Sequence, residues 1–157
     1  MIDVKVCPME ERDISAVSNM FIALHEYLNE LGSLLKLNAE KLEDYLSMQI
    51  DSRLGRIIVL KEDDKVAGFV GVSIRPINKM FFVGGLKSTG FISELYVAPA
   101  YRGKSYAKML LSAAEDFLKA SDVRLVQLEV LANNKSAVSL YDGCGYLPNY
   151  TNLKKTL

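Results

Sequence analysis

The sequence predicts an α/β domain, a central mixed β-sheet flanked by about four helices, and two observations predict it. Apolar residues change spacing along the chain in the order strand, two helices, three strands, helix, strand, helix, strand, the mark of a sheet with helices on both faces. Within that order, a strand, a helix and a strand over residues 91–130 imply a right-handed parallel crossover, so parallel and antiparallel pairs should share one sheet. Half of the 157 residues are hydrophobic and 24% are charged, which suits a single domain spanning residues 1–157 around one core.

The elements follow in order. Residues 3–7 alternate as a short strand. Asp13 can then cap a helix carrying Ile14, Val17, Phe21, Leu24, Leu28 and Leu31 at helical spacing, and Gly32 ends it. A second helix starts near Asn38, with Leu42, Tyr45 and Leu46 on one face, and stops before Gly55. Residues 56–60 and 66–74 are β-branched apolar runs joined by the polar stretch 61–65, a hairpin pattern closed by Pro76 and Asn78. A glycine-rich loop over 84–90 precedes a strand at 91–97, stopped by Pro99. From about Gly103 to Ala120, Ala107, Leu110, Leu111, Ala114, Phe117 and Leu118 line one side of an amphipathic helix. Residues 123–130 read as a strand, 134–142 as a short helix, and 146–157 as one or two edge strands around Pro148 and Asn149.

Charge and composition narrow the function. Lysine plus arginine and aspartate plus glutamate number 19 each, so no overall field gathers nucleic acid or an anionic membrane, and any phosphate site must be local. No apolar run approaches the roughly 18 residues a bilayer span needs, and the N-terminus lacks a signal-peptide pattern, so the protein is expected to be cytoplasmic. Cys7 and Cys144 stand too far apart for a metal or redox motif, and with His25 as the single histidine no metal site is expected.

The stretch Tyr101-Arg102-Gly103-Lys104-Ser105-Tyr106-Ala107 joins a strand end to a helix start. Unpaired backbone N–H groups and the positive end of the helix dipole converge there, with Arg102 and Lys104 adding charge, so a pyrophosphate is the anion it suits. The spacings GxGxxG and GxxxxGK[ST] are absent, which argues against a dinucleotide fingerprint or a Walker loop. Read alone, the loop is equally an ordinary basic turn capping a helix.

This loop and the strand Ile92-Ser93-Glu94-Leu95-Tyr96-Val97-Ala98-Pro99 before it resemble the acyl-CoA signature [RQ]xxGx[GA] of the GNAT N-acetyltransferase superfamily. Arg102 matches, Ser105 stands at the usual glycine, and Ala107 follows. A second block, Leu128-Glu129-Val130 followed by Asn134, Ala137, Leu140, Tyr141, Gly145 and Tyr146, is similar to that superfamily's later motif. The resemblance covers residues 91–146 and implies a GNAT-like acyl-CoA N-acyltransferase fold. It implies acetyl-CoA as cosubstrate, bound by Arg102, Gly103, Lys104, Ser105, Tyr106 and Ala107. The backbone of Leu95, Tyr96 and Val97 would then lie beside the pantetheine arm, in a wedge left by the next strand, and Asn134 would bond that arm. A buried central strand and a helix N-cap are the plain structural readings of these last two features. Ser105 in helical dihedrals would need no glycine.

The chemistry assigned to the site has two parts. By the resemblance, the Tyr141 hydroxyl faces the thioester sulfur and eases thiolate departure, whereas its side-chain spacing alone places it on or beside a buried helix face. The attacking amine must also lose a proton, at a cost of roughly 4.6 kcal/mol for a pKa near 10.4 at neutrality. Glu94, which strand alternation sets opposite Leu95, is the candidate base acting through water, as the superfamily often uses a glutamate here. The expected reaction is direct attack of a primary amine on acetyl-CoA in a ternary complex. The acceptor is unassigned, and a homodimer is left open. A catalytically silent acyl-CoA-binding sensor is the alternative function, and a nucleotide-binding protein a more remote one.

Overall fold

The structure, a computed structural model, describes residues 1–81 and 83–157. Five strands form one sheet in sequence order: β1 (Val4–Pro8), β2 (Gly55–Glu62), β3 (Lys65–Pro76), β4 (Ser88–Val97) and β5 (Val126–Leu128). β1 through β4 pair antiparallel, while β4 and β5 pair parallel across the crossover helix. Among the described residues the α-helices are α1 (Ile14–Glu30), α2 (Leu42–Ile50), α3 (Tyr106–Ala120) and α4 (Lys135–Gly143).

Strand alternation sorts the core into two layers. Ile58, Leu60, Val70, Val72, Ile92 and Val97 point to one face and bury Leu110, Leu111, Ala114 and Leu118 of α3. On the other face Ile57, Val59 and Phe69 bury Val17 and Phe21 of α1 and Leu42 and Leu46 of α2. The helical spacing that predicted α3 therefore marks its buried stripe, although the helix begins at Tyr106 rather than near Gly103.

Other expectations change with tertiary context. Asp13 does not cap α1 with its side chain. It accepts from the Glu10 backbone at 3.0 Å and pairs with Lys61 of β2 at 2.8 Å, both charged side chains almost fully buried. The β2–β3 hairpin is tighter than its polar stretch suggested, because Asp63 and Asp64 both adopt positive φ and close a two-residue turn. The strand expected over 123–130 shortens to three residues, since Val123 is spent in the core at the end of α3. The edge strands expected over 146–157 do not form: the segment has no ladder partner among the described residues, and Leu147, Tyr150, Leu153 and Leu157 lie exposed. Pro148 also removes a donor from any ladder there.

Candidate active site

β4 is the axis of the site. The register against β3 shifts between Gly71, opposite Glu94, and Val72, opposite Ile92, which leaves Ser93 as an extra, bulged residue. β5 pairs with β4 through Gly90, Phe91 and Ile92. Among the described residues no β5 residue pairs with 93–97, so that edge of β4 carries no ladder beyond the bulge.

Which backbone groups reach that edge follows from the ladder. Ala98 N–H donates to Ala67 O at 2.9 Å, which makes Gly68 and Val97 a non-hydrogen-bonded pair, and Val70 with Leu95 is the next of that kind. Leu95 and Val97 therefore turn their N–H and C=O toward the side without a ladder, while those of Tyr96 face β3. Of the three residues expected beside a pantetheine arm, alternation leaves Leu95 and Val97 as the ones able to pair. An extended, amide-bearing chain fits such an edge as an added strand.

The free edge runs into the loop before α3. Gly103 (φ 80°) and Ser105 (φ 63°) both adopt left-handed conformations, and no side chain caps α3. Ser105 thus departs from the helical dihedrals expected of it. The conformation is one a glycine adopts freely, and it costs a side-chain-bearing residue about 1–2 kcal/mol. The uncapped N–H groups at the start of α3 remain available to an anion.

The two cations of the loop differ in their engagements. Arg102 is exposed, donates through Nε to Val97 O at 2.9 Å, lies 5.7 Å over the Tyr96 ring and has no carboxylate partner among the described residues. Lys104 is paired with Glu62 at 2.8 Å, so the positive charge expected of it is largely neutralised. Tyr106 is buried and also donates to Glu62, an interaction that pushes its pKa up to about 12. Its hydroxyl is thereby spent, and its backbone N–H is what it can offer an anion. Glu62, a carboxylate 42 residues before Lys104, carries no local signal of this role in the sequence.

Glu94 and Tyr96 face the α1–α2 layer, and Leu95 the α3 layer, as the bulge and alternation require. Burial raises the pKa of Glu94, opposed by the Ser93 hydroxyl that donates to it. Tyr45 of α2 has its own pKa raised by burial and by the Glu94 charge, which places the phenol in that carboxylate's field. Phe21 stacks on both Phe69 and His25 and meets Tyr45 edge-on, forming an aromatic wall beside this region. His25 is packed in that wall with Nε2 buried and unpartnered, and burial lowers its pKa.

Gly71 makes this arrangement possible. A Cβ at that position would come within 2.6 Å of Glu94 Oε2 and 2.7 Å of Ser93 Oγ. A glycine inside an apolar strand is itself a sequence signal for such a close approach. Because the displaced atoms end flexible side chains, Gly71→Ala should fold normally and, if the expected acetyl-CoA site with Glu94 as base lies here, bind CoA normally yet lose at least about tenfold in turnover, a loss of about 1.4 kcal/mol in barrier terms. Parallel melting, CoA calorimetry and rate measurements check this, and unchanged turnover refutes it.

On the α3 side, Tyr141 of α4 packs against the core layer under α3, its ring centroid 5.8 Å from that of Tyr146. Burial pushes its pKa up to about 12. Its hydroxyl forms no side-chain hydrogen bond among the described residues, whereas Tyr146 donates to Glu115 of α3 at 2.8 Å. Asn134 caps α4: its Oδ1 accepts from Ala137 N at 3.4 Å and from Ser136 Oγ at 3.3 Å. That leaves the Asn134 amide N–H₂ as the group able to bond another partner. Asn133 instead donates to Leu31 O at the end of α1, at 2.7 Å. Among the described residues no group of three His, Cys, Asp or Glu side chains could hold a metal, and no helix is long and apolar enough to cross a membrane.

The chain thus presents a mixed sheet whose fourth strand loses its β5 partner ahead of the uncapped start of α3. The chain belongs to the acetyltransferase (GNAT) family, whose model matches residues 22–146. It is 24% identical over 134 residues to the uncharacterized N-acetyltransferase YhfO of Bacillus subtilis strain 168, covering 85% of this chain and 83% of that protein. Its fold matches that of the aminoglycoside N-acetyltransferase AAC(6')-Iy in complex with CoA, with a TM-score of 0.80 at 14% identity over 100% of this chain and 96% of the other. It also matches a predicted acetyltransferase of Clostridium acetobutylicum solved with acetyl-CoA, with a TM-score of 0.75 at 15% identity over 99% and 96% of the two chains.

Proposed function

We propose that this chain transfers an acetyl group from acetyl-CoA to a primary amine, by direct attack within a ternary complex. The observation that carries this reading is the free edge of β4 from Ser93 to Val97, which ends on the uncapped start of α3. Acetyl-CoA, when bound, supplies an activated thioester and a pyrophosphate.

This chain's residues divide the work. Leu95 through its N–H and C=O, and Val97 through its N–H, its C=O already accepting from Arg102 Nε, hold an extended amide-bearing arm, and the Asn134 amide adds a side-chain contact to it. The N–H groups of Gly103, Lys104, Ser105, Tyr106 and Ala107, with the Arg102 guanidinium, receive the pyrophosphate. Glu94 takes the amine's proton through water on the α1–α2 side of β4, and Tyr141 donates a hydrogen bond to the departing sulfur from the α3 side. The family membership and the CoA and acetyl-CoA complexes of its structural neighbours support the donor assignment.

The test begins with CoA calorimetry and continues with CoA release across a panel of amines. Arg102→Ala should weaken CoA on the order of tenfold, because it removes the loop's unneutralised cation. Lys104→Ala should give the smaller loss, since that ammonium already faces Glu62. CoA binding unchanged by Arg102→Ala overturns this placement of the pyrophosphate.

A further inference from the structure

We propose that Glu62 is a positioning residue that clamps the anion-binding loop into its left-handed turn. The inference rests on the reading of that loop as the CoA site and adds to it a residue from a distant part of the chain.

Glu62 ends β2 at the tight hairpin turn, and the turn itself is pinned: Asp63 N–H donates to Asp3 O at 2.8 Å, and Asp63 Oδ1 accepts from Asp3 N–H at 3.0 Å. From this fixed base the carboxylate, 12% exposed, accepts from Lys104 Nζ at 3.0 and 2.8 Å through its two oxygens, and from the Tyr106 hydroxyl. Lys104 Nζ also lies 5.7 Å from the Tyr101 ring centroid and 5.8 Å from that of Tyr106. Lysine and tyrosine together hold the carboxyl below its usual range, so it stays ionised at neutral pH.

The two clamped residues flank Ser105, the non-glycine residue held at φ 63° where the helix begins. A residue in that region persists where its surroundings over-determine it. Ser105 makes no capping hydrogen bond of its own, so the constraint comes from its neighbours. Glu62 fixes both, and with them the direction in which the loop's N–H groups point.

This assignment and simple charge logic predict opposite results. If Glu62 only neutralised Lys104, removing its charge would free an ammonium for phosphate and tighten binding. If Glu62 clamps the loop, Glu62→Gln weakens CoA by on the order of tenfold, the scale of coupling between groups in one hydrogen-bond network. Ser105→Gly needs no clamp, because glycine adopts positive φ without strain. That variant should bind CoA at least as tightly as wild type, and adding Glu62→Gln to it should cost less than about threefold.

The experiment is CoA calorimetry on the whole chain for wild type, Glu62→Gln, Ser105→Gly and the double variant, with melting followed in each. Tyr106→Phe, which removes one arm of the clamp and keeps the ring, should weaken CoA several-fold in the Ser105 background. Suppression of the Glu62→Gln defect by Ser105→Gly in folded proteins supports the clamp. Equal losses in both backgrounds, or CoA bound as tightly by Glu62→Gln as by wild type, overturn the clamp and leave the CoA site standing. Failure of wild type to bind CoA overturns both.

Discussion

Glu94→Gln should lower kcat/KM by about 10²- to 10⁴-fold at neutral pH, the range a positioned general base contributes, and the loss should shrink as pH rises. The amide keeps the shape of the carboxylate and cannot take a proton. Burial holds the Glu94 carboxyl above its ordinary value, with the Ser93 hydroxyl opposing the shift. A base works in its deprotonated form, so wild-type kcat/KM should climb with pH through that raised pKa, above the ordinary carboxylate range. The limb due to Glu94 should vanish in the variant. As pH approaches the amine's own pKa near 10.4, more acceptor arrives neutral and the base matters less. A pH series with melting checked in parallel decides the matter, and a pH-independent defect in a well-folded variant refutes the base.

Tyr141→Phe should slow turnover by one to several orders of magnitude, on the order of 1.4 kcal/mol for each tenfold, with CoA affinity nearly unchanged. With its pKa pushed up to about 12 by burial, the phenol keeps its proton throughout the working range. Full transfer of that proton to a thiolate near 8.5 would be uphill by roughly 5 kcal/mol, so the hydroxyl acts by hydrogen bonding. A donor held ready in a partly buried site needs no reorganisation as charge develops on sulfur. Turnover unaltered with a chemistry-limited substrate would return Tyr141 to a packing role. A tyrosine whose hydroxyl is already bonded, such as Tyr146 on Glu115, should give a smaller kinetic effect.

The order of elements was legible because burial imposes period on sequence. α3 was read from six apolar residues at helical spacing, of which Leu110, Leu111, Ala114 and Leu118 are buried while Ala107 and Phe117 pack half-buried beside them. The parallel crossover was legible for the same reason, through apolar strands on either side of one long amphipathic helix. Where no partner element supports a β-like pattern, the reading failed: residues 146–157 have strand-like composition and form no strand. A strand needs a neighbour, and composition does not supply one.

By itself, the sequence determined the mixed sheet, its helices, the strand Ile92 to Val97 and the loop around Gly103, together with the membership that residues 22–146 carry. These are properties of consecutive residues, fixed by periodicity and motif. Tertiary structure decided which groups in that stretch are free to act. The bulge at Ser93 and the end of β5 pairing at Ile92 leave the backbone groups of Leu95 and Val97 facing away from β3 and those of Tyr96 facing it. Glu62, 42 residues before Lys104, takes up Lys104 and Tyr106, and among the described residues Arg102 has no carboxylate partner. Gly71 opens the space that Glu94 fills from the neighbouring strand. Each outcome depends on contacts between segments far apart in the chain, and local spacing carries no record of them.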